Sequence, residues 1–275
     1  MRILAFDTAT PSTTVALCLP GQESQEVRDD PPPGHRPGHA TKLLPLTISL
    51  LERAGIGWEA VDRIAVGTGP GTFTGLRIGI ATARALAQAR GIPLTGVSTL
   101  RSVATNALAT NALATNALAT NALAGNALAT NALATSAFNR PDAPGADTVL
   151  AVLDARRREV FTAGWRLEEL QANGAPFLGP RALAPQVLVE LIEQLGISPL
   201  ALGNGAVEFR SVLERSEALI PESGSQLHRV TAIHHCRLAR ALPGKAPNDV
   251  HPEYLRVPDA EISRRTAHRH THAPH

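Results

Sequence analysis

One pattern, used twice, constrains this chain more than any other feature. Near the start, ILAFDTATPSTTVALCL runs as a short apolar stretch, an aspartate, a polar turn and a second apolar stretch. Beyond residue 147, TVLAVLDARRREVFTAGW follows the same order, with Asp154 in the place of Asp7. Short apolar runs bounded by turn formers read as buried strands, and two of them joined by a brief polar turn read as a hairpin. A plan used twice within 275 residues predicts two lobes of related α/β build.

Between the two hairpins the elements follow in order. Pro20 to Gly38, rich in Pro, Gly and Asp, reads as a loop with at most one edge strand. Thr41 to Ala54 has helical apolar spacing and stops before Gly55, with Pro45 either in its first turn or at a kink. Arg63 to Gly67 is a strand candidate leading into a glycine loop, Leu76 to Ala89 a helix of small residues, and GIPLTGVS a further strand. In the second half, Gln186 to Leu195 reads as an amphipathic helix, LALGNGA as a strand entering a glycine turn, and Ala232 to Leu242 as a last helix.

A low-complexity block interrupts this order. From Thr105 to Ala134 the pentamer TNALA occurs six times, once with Gly125 replacing Thr. A five-residue step turns about 140° round a helix and flips faces in a strand, so neither geometry gathers the leucines on one face. The block therefore reads as a tandem duplication that lengthened a surface helix or loop, a pentapeptide β-helix being the alternative. The resulting division is a first lobe over 1–104, repeat and linker over 105–148, a second lobe over 149–262, and a disordered His-rich tail over 263–275.

Composition narrows the class. Hydrophobic residues at 44% and charged residues at 18% describe a globular protein, not a disordered one. A net charge of +2 implies no general polyanion-binding surface, and 3% aromatics are too few for a ladder of base-stacking rings. Cys18 and Cys236 cannot build a disulfide framework or a four-thiolate zinc site. No signal-peptide core or membrane-length apolar run is present, so a cytoplasmic protein away from membranes is expected.

Few residues announce chemistry. In GTGPGTFTGLRIG, the glycines Gly69, Gly71 and Gly75 with Thr72 and Thr74 lead into a helix, and form either an anion cradle at its N-terminus or a structural strand-to-helix turn. The loop lacks a Walker Lys-Ser/Thr and the G-x-G-x-x-G spacing. Asp7 with Thr8 beside it, and Asp154, either hold a magnesium–nucleotide in a cleft between the lobes or cap their own turns. Gly203 and Gly205 either approach an adenine or make a turn. His35 and His39 stand four apart, but Pro37 and Gly38 between them argue against a shared helix, so no metal site is expected. No Ser-His-Asp or Cys-His pairing and no acid–base carboxylate pair is visible, so no catalytic residue is assigned.

ILAFDTAT, HATKLLP, GTGPGTFTGLRIGIATARALA, VSTL, LDARRREVF and PEYLR together resemble the TsaB (YeaZ) family over most of the chain, the repeat and tail excepted. The resemblance implies a two-lobed fold of the actin, sugar-kinase and Hsp70 (ASKHA) type. It implies a non-catalytic subunit that pairs with a TsaD-like catalytic subunit, aided by a TsaE-like ATPase, to place threonylcarbamoyl on the adenosine next to the anticodon of tRNAs reading ANN codons. TsaD carries an H-x-x-x-H metal site after its glycine loop, and GIPLTGVSTLRSVA here holds no histidine. ATP or ADP with magnesium at the complex interface is the one cofactor candidate, and the sequence leaves open whether the isolated chain pairs with itself. The pairing helices would carry Leu43, Leu46 and Leu50 on the first, and Leu76, Ile80, Ala81, Arg84 and Ala85 on the second. The competing reading is an active enzyme of the same fold: an ATPase, a small-molecule kinase or an M22-type peptidase. Direct tRNA contact through Arg156, Arg157 and Arg158, or through the arginines of the tail, is a further possibility.

Overall fold

The computed structural model describes residues 1–32, 34–108 and 147–256. The expected hairpins form the centres of two sheets. In the first, β1 (Ile3–Asp7) pairs antiparallel with β2 (Thr13–Cys18), and the sheet is completed by β3 (Gln25–Asp29), β4 (Arg63–Gly69) and β5 (Leu94–Ser98) in the order β3-β2-β1-β4-β5. In the second, β6 (Thr148–Asp154) and β7 (Val160–Arg166) are joined by β8 (Leu178–Leu183) and β9 (Leu200–Leu202) in the order β8-β7-β6-β9. The second sheet is the first without its last strand. In each, the aspartate-tipped strand runs parallel to the next strand inward, β1 beside β4 and β6 beside β9.

Strand alternation decides which helix covers which face. Leu4, Phe6, Val15 and Leu17 point to one side of the first sheet, where Leu43, Leu50 and Leu51 of α1 (His39–Arg53) and Ile80, Ala83 and Ala87 of α2 (Phe73–Arg90) meet them. Pro45 is the seventh residue of α1, so it lies beyond the first turn and the helix runs on past it. Helix α2 starts at Phe73, three residues before Leu76, because the Thr72 hydroxyl caps it by accepting from the Gly75 amide at 3.3 Å. Gly91, at φ 64°, ends it in the left-handed conformation that favours glycine.

The opposite faces are covered by an exchange. Helix α3 (99–108) follows β5 of the first sheet, yet its Leu100, Val103, Ala104 and Ala107 pack with Val149, Ala151 and Leu153 of the second. After α4 (Leu167–Gln171), α5 (Pro185–Leu195), α6 (Asn204–Glu208) and α7 (Arg210–Leu213), the chain returns in α8 (Ala232–Ala241) to the first sheet. There Ala232, Cys236 and Ala239 lie against Ile3, Ala5 and Ala16. Each lobe is thus a helix–sheet–helix sandwich, with one layer supplied by the stretch of chain that follows the other lobe's sheet.

Thr105 to Leu108, the described part of the first TNALA unit, belong to α3. Thr105, Asn106 and Ala107 are buried, so these residues are core and not part of a surface extension. Tertiary contacts decide this, since one unit needs only one apolar face of its own. The block from Ala109 onward and the His-rich tail lie outside the described residues.

Candidate functional site

The glycine loop wraps the end of β1. Gly71 and Gly75 face the backbone carbonyls of Ala9 and Thr8, and Gly79 faces the Thr8 hydroxyl, each at an approach that a Cβ would obstruct. Hydrogen bonds join the two segments: Thr72 N–H donates to the Ala9 carbonyl at 2.8 Å, and the Thr8 hydroxyl donates to the Gly75 carbonyl at 2.7 Å. The space that an anion cradle would need is filled by the chain's own Asp7–Ala9 turn. Thr74 is exposed at the start of α2, while Gly69, at φ 98°, shapes the bend that leads into the loop.

Asp7 is 1% exposed and both of its oxygens are engaged. Oδ1 accepts from the Ala9 amide at 2.7 Å; Oδ2 accepts from the Thr99 hydroxyl at 2.7 Å and faces His235 Nε2 at 2.8 Å. Burial raises the carboxyl's pKa, but His235, the Ala9 amide and the Thr99 hydroxyl together outweigh it and hold the group below the usual carboxylate range. Gly67 packs directly on this carboxylate.

On the far side of the ring, His235 Nδ1 lies 3.1 Å from the Ser102 hydroxyl, which in turn donates to the Thr231 carbonyl at 3.1 Å. Ser102, His235 and Asp7 therefore stand in the order of a nucleophile, base and orienting acid, brought together from α3, α8 and β1. The sequence carried no sign of this, because 228 residues separate Asp7 from His235. Ser102 and His235 are fully buried, so no substrate reaches the hydroxyl. The arrangement clamps the exchanged helices to β1.

Next to it, Asn106 donates to the carbonyls of Leu227 (3.0 Å) and Arg229 (2.9 Å), and its Oδ1 faces His234 Nε2 at 2.8 Å. With the amide nitrogen committed to two carbonyls, His234 must carry its proton on Nε2. Burial, with Arg237 and His235 nearby, pushes the His234 pKa down to about 3.

The second lobe repeats the turn in the open. The Asp154 carboxylate accepts from the Arg156 amide at 2.8 Å and meets the Arg156 guanidinium at 3.4 Å, while the Asp154 amide donates to Asn204 at 3.2 Å. Gly203 and Gly205 approach the backbone of Val152 and Leu153, the counterpart of Gly71 and Gly75 against Ala9 and Thr8. Asp154 lines a cleft of about 440 Å³ between the lobes, with Thr10, Ser12, Arg28 and Asp30 on one side and Asn204, Glu208 and His228 on the other. Burial lowers the pKa of His228, and its Nδ1 accepts from the Gly203 amide at 3.2 Å.

Asp7 does not line this cleft. The two aspartates each cap their own turn, so this arrangement does not fit a magnesium–nucleotide held between them. Among the described residues, no group of three His, Cys, Asp or Glu side chains is placed to hold a metal ion. His35 lies outside α1 and is exposed, whereas buried His39 begins the helix with Nδ1 2.8 Å from the Thr13 hydroxyl. No helix among the described residues is long and apolar enough to cross a membrane.

The residues expected to face a partner from α1 and α2 need a correction of phase. Leu43, Leu50, Leu76 and Ile80 are core residues, and Leu46 is half-buried against them. Arg84 is engaged by the Val250 carbonyl at 3.0 Å. What α1 presents outward is Leu44 (43% exposed) and Ile48 (45%), one turn apart. Helix α2 presents a stripe at four-residue spacing, Phe73, Arg77, Ala81 and Ala85. The Arg77 guanidinium lies 3.9 Å over the Phe73 ring, and Tyr254 packs 5.5 Å from that ring at a tilt of 32°. Once the core requirement is met, the apolar excess of α1 can only lie on this outer face.

Comparison with known proteins agrees with this architecture. The family model described as TsaD, tRNA N6-adenosine threonylcarbamoyltransferase, matches residues 32–137. The tRNA threonylcarbamoyladenosine biosynthesis protein TsaB of Escherichia coli is 30% identical over 237 residues, covering 82% of this chain and 84% of that protein. A Pseudomonas aeruginosa structure described as similar to the peptidase YeaZ superposes with a TM-score of 0.65 at 25% identity, covering 93% of this chain and 99% of that one. YeaZ from Pseudomonas aeruginosa superposes with a TM-score of 0.62 at 24% identity, over 92% and 99% of the two chains.

Proposed function

The chain belongs to the TsaB family of tRNA threonylcarbamoyladenosine biosynthesis proteins, and from that premise we propose that it is a pairing subunit without chemistry of its own. Its partner is a TsaD-like catalytic subunit, which it supports in placing threonylcarbamoyl on the adenosine beside the anticodon of tRNAs reading ANN codons. A TsaE-like ATPase and the tRNA join the same assembly, and the chain pairs with itself when no partner is present.

The observation that carries this reading is the outer face of α1 and α2. Leu44 and Ile48 are large apolar side chains exposed in the free chain, and Ala81 and Ala85 on the neighbouring helix let a facing helix approach closely. Phe73, Arg77 and Tyr254 extend that face with residue types that anchor interfaces. The closed Asp7 turn supports the same reading, since a carboxylate that is 1% exposed and hydrogen-bonded within the fold through both oxygens is closed to a ligand.

Co-purification tests it. Leu44→Asp with Ile48→Asp, or Ala81→Trp alone, is expected to abolish co-elution with the TsaD-like subunit and with it tRNA modification by the mixture. The thermal midpoint of the isolated chain should stay within a few degrees, because none of the three side chains is in the core. Undiminished co-elution of these variants sinks the proposal.

A further inference from the structure

Beyond α8 the chain runs back across both lobes. Lys245 pairs with Leu94 of β5, its N–H donating to the Leu94 carbonyl at 2.8 Å and its carbonyl accepting from the Leu94 amide at 3.1 Å. A single 3-10 turn (Pro247–Asp249) follows, and Val250, 2% exposed, enters the core of the first lobe. At the start of α2, Tyr254 packs on Phe73, and its hydroxyl accepts from Arg77 Nε at 3.3 Å. Leu255 then joins the core cluster of the second lobe, and Arg256 pairs with Glu159 at 2.7 Å. Residues 245–256 thus form a strap from the first sheet to the β6–β7 hairpin.

The outer part of this strap is held largely by side chains. His251 to Arg256 form neither helix nor strand, and Glu253 N–H donates to the Thr68 carbonyl at 2.8 Å. From α2, Arg84 Nε donates to the Val250 carbonyl at 3.0 Å, and its Nη2 lies 3.4 Å from the Asn248 carbonyl and 3.0 Å from His251 Nδ1. Segments with little regular backbone bonding are the cheapest to open locally. Arg84 at one end and Arg256 at the other therefore decide where Tyr254 sits.

That position is outward. Tyr254 is 41% exposed and Phe73 38%, and the two rings meet on the stripe that α2 presents to solvent, with Arg77 beside them. In a chain with 3% aromatics, two exposed rings in contact are a concentration of the residue types that anchor interfaces. Each ring is fixed by the other before a partner arrives, which lowers the entropy lost on docking.

We propose that the strap is a working part of the pairing face: it holds Tyr254 against the TsaD-like partner, with Arg84 and the Arg256–Glu159 pair as positioning residues. The inference rests on the pairing proposed above for α1 and α2. It adds that the second lobe takes part in pairing through the strap.

Tyr254 is the single tyrosine of the chain, so growth on 3-fluorotyrosine labels the full chain at one position. Its fluorine resonance is expected to shift when the TsaD-like subunit is added. In the isolated chain, Arg84→Ala should move it toward that of an unstacked fluorotyrosine. By calorimetric titration, Arg84→Ala and Tyr254→Ala should each raise the dissociation constant for the partner about tenfold. R84A should add nothing in the Y254A background, because Arg84 acts through the ring. Arg256→Ala should raise the constant about threefold, its pair with Glu159 being partly screened by solvent. Thermal midpoints should stay within a few degrees, since Val250 remains buried in every variant. Pairing that leaves the resonance unmoved, or additive losses in the double variant, overturns the proposal while the pairing of α1 and α2 stands. Tighter pairing by Arg84→Ala would make the strap a cover over the face, and overturns it as well. Failure of the unaltered chains to associate removes the pairing reading and this inference with it.

Discussion

Asp7 ends β1 and accepts a hydrogen bond from the amide two residues on at 2.7 Å; Asp154 ends β6 and does the same at 2.8 Å. Their surroundings differ completely. Asp7 lies beneath the glycine loop, against His235, and is 1% exposed, whereas the Asp154 side chain is 19% exposed at a cleft and pairs with an arginine at its surface. In the first lobe a long parallel strand continues through a glycine loop into an eighteen-residue helix, and α8 closes the other side. In the second, the three-residue β9 turns at once into a five-residue helix and leaves the aspartate's outer side uncovered. A shared strand-and-turn plan therefore fixes local geometry only. Whether the carboxylate becomes a structural pin or a surface group depends on what is laid over it.

The comparison is most easily broken at the aspartates themselves. Asp7→Ala leaves His235, the Thr99 hydroxyl and the Ala9 amide buried without their acceptor, and is expected to cost about 3–5 kcal/mol in urea unfolding. Asp154→Ala, its counterpart, loses a solvent-screened pair and a turn cap, for about 1 kcal/mol. Equal costs would show that the difference in burial has no energetic meaning.

A smaller effect, near 2 kcal/mol, sharpens the picture through pH. His234 takes up a proton near 6.5 when unfolded but only near 3 when folded. The unfolded state thus binds more protons between these values, and stability falls by about 1.4 kcal/mol per pH unit as pH drops from 6.5. Asp7 adds to the loss only below its unfolded pKa of 3.8, where protonation removes a carboxylate that the fold favours. Unfolding titrations from pH 7 to 5 should show a slope to which buried His39 and His228 also contribute, and His234→Gln should reduce it by up to about 1.4 kcal/mol per pH unit; an unchanged slope would refute the assignment.

Smallest is a test of likeness between the lobes. Gly75→Ala drives a Cβ toward the Thr8 carbonyl and Gly205→Ala drives one into the Leu153–Asp154 peptide. Each should cost about 1–3 kcal/mol by overpacking, by similar amounts. A large disparity between their unfolding midpoints would break the correspondence of the two glycine turns.

How much of this was legible in the sequence differs by element. The hairpins were, because alternation and turn residues are local signals, and the aspartates' position at the strand tips followed from them. The seam was not. Ser102, His235 and Asp7 meet only because α3 and α8 exchange lobes, and no spacing rule spans that distance. On α1, the sequence offered more apolar residues than one stripe needs, but their phase was set by contact with Leu17 and Phe6, which placed Leu43 and Leu50 inward and Leu44 outward. The left-handed backbone of Arg156, Arg157 and Arg158, at φ of 63°, 53° and 61°, left no trace, since the residues that announce such a turn are Asn and Gly.

The exchange of α3 and α8 has a consequence for biosynthesis. The back of the first sheet, Ile3, Ala5 and Ala16, is covered by residues from Ala232 onward, so those apolar groups stay bare until α8, far along the chain, has left the ribosome. The amino-terminal half cannot complete itself as it emerges; it must wait for its last layer, and in that interval an adhesive sheet face is open to chaperones and to other nascent chains.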